Sequence, residues 1–200
     1  ISRMRNVLMT YSFFNFDIGY CQGMSDLLSV ILLMYDTEYE AFHVFKQLLG
    51  QRVAGNFYDD HRHTMTKQLK AVETLTQHFV NPLWRHLESQ GATSMAFCFR
   101  WLLVLFKREF QPHEIHLMWD VIFACPFSKQ FEIFVVTAML RSVTKQVIDH
   151  AFAYDDLLKF SNCLVGNMKV EDVVRLSLDF YGLVSEKVAW KRRAGLGVCA

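Results

Sequence analysis

Asn15-Phe16-Asp17-Ile18-Gly19-Tyr20-Cys21-Gln22-Gly23-Met24-Ser25-Asp26 runs directly into Leu27-Leu28-Ser29-Val30-Ile31-Leu32-Leu33-Met34. Residues 15–19 read as a turn, because Asn and Asp supply side-chain caps and Gly19 tolerates positive φ. A helix is predicted to start near Tyr20. Met24, Leu27, Leu28, Ile31 and Leu32 fall at spacings of three and four on one wide stripe, and Val30, Leu33 and Met34 fill the other side. A helix apolar nearly all round is a core helix, and it needs other helices to surround it.

The neighbouring segments supply them. Met4, Val7, Leu8, Tyr11 and Phe14 mark one face of a preceding helix, and Phe42, Phe45, Leu48 and Leu49 mark a following one over 38–49, with Gly50 as its stop and a polar loop through Gly55-Asn56. Further helices are predicted from Met65 to Phe79, from Pro82 to Gly91, from Met95 to Phe110 with Thr93 or Ser94 as cap, and from Pro112 to Cys125. Phe131–Ile148, Asp155–Val165 and Val170–Val188 complete the series. The expected class is all-α, with about nine or ten helices joined by short loops and no strand required. Lys191-Arg192-Arg193 and the seven residues after it have no helical stripe, so residues 191–200 are expected to be a flexible tail.

Composition removes several classes of function. Of 200 residues, 52% are hydrophobic and 20% charged, which excludes a disordered scaffold. Lys plus Arg number 21 against 20 for Asp plus Glu, a net charge of +1, so no electrostatic footprint for nucleic acid spreads over the fold. Mean hydropathy is +0.14, yet no apolar run reaches the roughly 18 residues of a membrane span. The five cysteines are odd in number and scattered, which suits free thiols and a cytoplasmic setting.

Motifs for the chain's own catalysis are missing. His61 with His63, and His113 with His116, lack the further ligands a metal site needs, so no metal is expected. Neither Walker-type nor G-x-G-x-x-G phosphate loops occur, and G-x-S-x-G is absent. Cys21 near a helix start reads as packing, and Lys107-Arg108 reads as solvated charge. Gln22 differs from these. A glutamine between turn and core helix, followed by Gly23, can present an amide donor and a carbonyl acceptor to a surface partner; the plainer reading is a capping Gln22 with Tyr20 filling the core.

Tyr20-Cys21-Gln22-Gly23-Met24 resembles the Y-x-Q-G-M signature of TBC domains, the all-helical GTPase-activating domains of Rab GTPases. Phe99-Arg100-Trp101-Leu102-Leu103-Val104-Leu105-Phe106 is similar to the family's W-x-x-x-x-F helix, and Leu117-Met118-Trp119-Asp120 to its L-x-x-W-D element. The resemblance implies an irregular multi-helix TBC-type fold. Residues 1–190 would be the C-terminal portion of the domain, with the N-terminal part missing and apolar surface exposed where it would pack.

It also implies a mechanism in trans. Gln22 would be the glutamine finger that orients the attacking water, with Tyr20 supporting the loop, and Tyr20, Gln22 and Gly23 would contact the GTPase. GTP and Mg would be bound by that partner, so the chain has no cofactor of its own. The family's arginine finger lies upstream in an I-x-x-D-x-x-R segment. Only nineteen residues precede Tyr20, and neither Arg3 nor Arg5 fits that pattern, so these 200 residues alone are expected to activate weakly or not at all. The competing class is a non-catalytic TBC-like module that holds a small GTPase or an adaptor. Either way, the resemblance places the chain in the cytoplasm, recruited peripherally to membrane surfaces through its partner.

Overall fold

A computed structural model describes residues 1–57, 64–125 and 130–193, with backbone alone at Ala54 and at 187–193. The described residues form eleven α-helices and no strand. In chain order these are α1 (Ser2–Phe14), α2 (Met24–Met34), α3 (Glu38–Leu48), α4 (Ala54–Phe57), α5 (Thr64–Phe79), α6 (Asn81–Ser89), α7 (Phe99–Leu103), α8 (Pro112–Ala124), α9 (Glu132–Asp149), α10 (Tyr154–Phe160) and α11 (Val170–Arg193).

Two groups of helices share one core. In the first, α1, α2 and α3 pack on one another, and Val7, Tyr11, Met24, Leu27, Leu28, Ile31 and Phe45 are buried between them. The second is built around α9, whose residues Glu132 to Leu140 are all buried and which packs against α5, α6, α7 and α11. Helix α8 joins the two groups by touching both α2 and α11. Its stripe of Ile115, Met118, Trp119 and Ile122 is buried as the periodicity predicts. Pro82 sits in the first turn of α6 and Pro112 in that of α8, where a missing backbone donor costs nothing.

Several boundaries differ from the sequence expectation, each for a local reason. Helix α2 begins at Met24, so Tyr20, Cys21 and Gln22 lie on the loop before it. Leu33 and Met34 are 70% and 58% exposed, because α1 and α3 cover only one side of α2. Gly50 does not stop α3. It lies in a π-helical turn, Leu49–Val53, that keeps Leu49 and Val53 buried and leads into α4, where a polar loop was expected at Gly55-Asn56.

The long helix expected from Met95 to Phe110 is a 3₁₀ turn (Ala96–Cys98) followed by the short α7, and no side chain caps either. Helix α7 ends in a paired-bond cap. The Phe106 N–H donates to the Trp101 carbonyl (2.8 Å) and the Leu105 N–H to that of Leu102 (3.4 Å), with Leu105 in the left-handed position usually held by glycine. Helix α10 stops at Phe160, short of Val165. Helix α11 continues to Arg193, three residues into the expected tail, while 194–200 lie outside the described residues, as do His61 and His63.

Candidate functional site

The loop from Asn15 to Gly23 starts where α1 ends. The Gly19 N–H donates to the Asn15 carbonyl at 2.8 Å, and Gly19 takes φ +59°, as the turn residues predict. Past Gly19 the chain crosses the surface and re-enters at Gly23. The Met24 N–H then donates to the Cys21 carbonyl (3.1 Å), and the Asp26 N–H to that of Gly23 (3.0 Å).

Gly23 is the pivot. Its φ of +106° is a conformation that a side chain disfavours, and a Cβ there would lie 3.2 Å from Val104 Cγ1, 3.4 Å from Phe57 Cε1 and 3.5 Å from Leu103 Cδ2. The glycine is therefore fixed twice, by backbone angle and by its seat against α4 and α7. Cys21 is half-buried beside it, with Sγ 3.6 Å from the Ile18 carbonyl and 3.9 Å from that of Phe57, so the thiol packs as expected.

This seating turns Gln22 outward. Gln22 is exposed, and among the described residues its amide has no hydrogen-bond partner, so it does not cap α2. Tyr20 is 55% exposed and does not fill the core. Its hydroxyl donates to Ser25 Oγ at 3.4 Å, and its ring borders a shallow apolar groove of about 390 Å³ formed with Ile1, Met4, Leu8 and Met9 of α1 and its entry. Tyr20, Gln22 and Gly23 thus share one short loop, with Gly23 below and the two side chains above.

Residues far along the chain complete the surroundings. Arg108 is not the solvated charge that the sequence suggests: it forms a two-pronged ion pair with Asp26, Nε to Oδ1 at 2.9 Å and Nη2 to Oδ2 at 2.8 Å. Behind it, Trp119 Nε1 donates to the Leu105 carbonyl (2.8 Å), and Trp101 Nε1 to that of Ser161 (3.0 Å). Both tryptophans are buried. Arg100 donates to Glu109 Oε1 (2.6 Å from Nη2), to Asn162 Oδ1 and to the Ser161 carbonyl. The two tryptophan stretches therefore build the shelf on which the loop sits.

Neither upstream arginine points at Gln22 through any bond. Arg3 donates to the Tyr35 carbonyl (2.5 Å) at the far end of α2, and Arg5 is exposed on α1. Among the described residues no group of three His, Cys, Asp or Glu side chains could hold a metal ion, and no helix is long and apolar enough to cross a membrane.

Comparison with known proteins places the chain. The chain is 36% identical over 174 residues to TBC1 domain family member 17 of Mus musculus, covering 87% of this chain and 27% of that protein. It is 35% identical over 178 residues to the GTPase-activating protein GYP7 of Saccharomyces cerevisiae, covering 88% of this chain and 24% of that one. The chain thus spans about a quarter of the length of these relatives. Among solved structures, the Ypt/Rab-GAP domain of Gyp1p superposes with a TM-score of 0.77 at 20% identity, over 93% of this chain and 66% of that one. A Chlamydomonas flagellar RabGAP TBC domain gives 0.73 at 19%, over 89% and 59%. The model of the Rab-GTPase-TBC domain matches residues 1–148, which hold the Gln22 loop and both tryptophan stretches, and the chain belongs to that family.

Proposed function

We propose that these residues form the C-terminal part of a GTPase-activating domain, residues 1–190, that acts in trans on a Rab-family GTPase, with Gln22 as the side chain that orients the attacking water. The observation that carries this is the exposed, unbonded Gln22 amide on a loop whose backbone is fixed by Gly23. A group that must position a water gains from being held rigidly while its own donor and acceptor stay free. The amide supplies both without adding charge. Tyr20 contributes contact area beside it and leans on α1.

The partner brings GTP and Mg to the encounter, and the chain contributes orientation and, through the closed interface, exclusion of bulk water. The positive charge that neutralises the departing phosphate comes, in the family, from an arginine upstream of the segment containing Tyr20. Arg3 and Arg5 are not assigned that role, since Arg3 is committed to the Tyr35 carbonyl and Arg5 lies along α1. The name of one relative, the GTPase-activating protein GYP7, supports activation over a purely binding role. Work in the cytoplasm at membrane surfaces, recruited through the GTPase, accords with this reading.

The test is single-turnover GTP hydrolysis across a panel of Rab GTPases, with the 200-residue chain and with any form extended upstream through I-x-x-D-x-x-R. Acceleration by the extended form, and much less by the 200 residues, is the expected result. An arginine contributes about 10³ to 10⁵ in rate. No acceleration by either form overturns the proposal in favour of a binding module.

A further inference from the structure

The turn between α7 and α8 is more tightly specified than a connection between two helices requires. Leu105 and Phe106 both take positive φ, +46° and +63°, although neither is glycine. Trp119 holds the Leu105 carbonyl, and Asn56 Nδ2 donates to the Leu102 carbonyl (3.3 Å). The outcome of these restraints is local. Leu103 and Val104 lie under Gly23, and the reversal at 105–106 carries Arg108 back to the first turn of α2, where it clasps Asp26.

Asp26 is the third residue of α2 and four residues beyond Gln22. Its side chain is 13% exposed and that of Arg108 46% exposed, so the pair is partly shielded on one side. An acidic residue in a first turn already suits the helix dipole. A guanidinium fork on both carboxylate oxygens does more, because it fixes direction as well as distance. We infer that Asp26 and Arg108 are positioning residues for Gln22: their two-pronged bond, with the seat of Gly23 on Leu103 and Val104, sets the angle at which the loop leaves α2. The inference rests on the reading of Gln22 as the water-orienting group.

The test compares the parent with Arg108→Met, Asp26→Asn, the double variant and Arg108→Lys, in a form that accelerates a Rab GTPase. Hydrogen exchange is read at the amides of Met24, Asp26 and Leu27, which bond back to Cys21 and Gly23. Each single variant is expected to raise exchange at these amides about tenfold, and the double variant no further, because the two changes remove one interaction. The hydrolysis rate at saturation is expected to fall about tenfold while the half-saturating concentration stays within about twofold, and Arg108→Lys, which keeps the charge but loses the fork, to recover less than about half of the rate. Unchanged exchange in both single variants overturns the inference. So does a raised half-saturating concentration with the maximal rate intact, which would put Arg108 in direct contact with the partner. If neither the 200 residues nor an upstream-extended form accelerates a Rab GTPase, the reading of Gln22 falls, and the exchange data alone still decide whether the pair fixes the loop.

Discussion

Gln22 and Gly23 are adjacent, yet substitution should separate them. Gln22→Ala removes an exposed amide that bonds to nothing among the described residues, so stability should move by no more than about 0.5 kcal/mol. Activation of the partner GTPase should fall about 10²-fold or more, as when one preorganised transition-state contact is lost. Single-turnover hydrolysis and a urea melt on the same preparation check both halves, and a loss of several kcal/mol would make Gln22 structural. Gly23→Ala places a methyl 3.2 Å from Val104 Cγ1 at a φ of +106°. It should cost about 1 to 3 kcal/mol and lower activation as well, because the loop itself must shift. Gln22 and the Gly23 beside it could be singled out from sequence because a polar residue between a turn and an apolar helix breaks the packing pattern, whereas Tyr20 joined them through the family resemblance. Arg108 could not. Its partner lies 82 positions away, and no local spacing distinguishes a paired arginine from a solvated one.

At the scale of elements, the stretches around Trp101 and Trp119 are supports for the loop, and each works through an indole N–H on a backbone carbonyl. Trp101→Ala and Trp119→Ala should each cost about 3 to 5 kcal/mol, since each empties a buried site and strips a carbonyl of its donor. Trp119→Phe should cost about 1 to 2 kcal/mol, chiefly for the lost bond to Leu105. Urea denaturation checks the order, and a Phe variant as unstable as the Ala variant would mean that volume alone matters there. Helices with unbroken three-and-four spacing, such as α5, α8 and α9, were legible in the sequence. The end of α7 was not. A left-handed cap without glycine gives no local signal, and Leu105 fills that position because its side chain is buried in the core. Gly50 misled in the converse way, since its backbone is not left-handed and the chain winds on through it.

Across the whole molecule, two buried carboxylates stand beside arginines, Glu109 next to Arg100 and Glu132 next to Arg52. Glu109 meets Arg100 through Oε1, while its Oε2 has no hydrogen-bond partner among the described residues. Burial pushes its carboxyl above the usual range, outweighing the opposing pull of Arg100 and Arg108. Glu132, within 3.9 Å of Arg52, is raised by burial as well. A carboxyl raised in the folded state binds its proton more tightly there than in the unfolded chain. Its contribution to stability is therefore fully present below the ordinary carboxylate value and is lost as pH rises through the folded one. The melting temperature of the parent relative to Glu109→Gln should accordingly increase as pH is lowered from about 7 to about 5. A decrease over that window would mean that Arg100 holds Glu109 ionised.

The contacts that seat the Gln22 loop span long stretches of chain. Cys21 meets Phe57 across 36 positions and Asp26 meets Arg108 across 82, while the shelf beneath is closed by Trp101 reaching Ser161 across 60. Interactions of such separation form late, after loop closure has brought the chain together. A ribosome releasing this polypeptide exposes Gln22 early but cannot give it a fixed orientation until the segment through Ser161 has emerged and folded. On the proposed reading, competence at the loop would then report that the segment through Ser161 has been made, since shorter chains would present Gln22 without a fixed orientation.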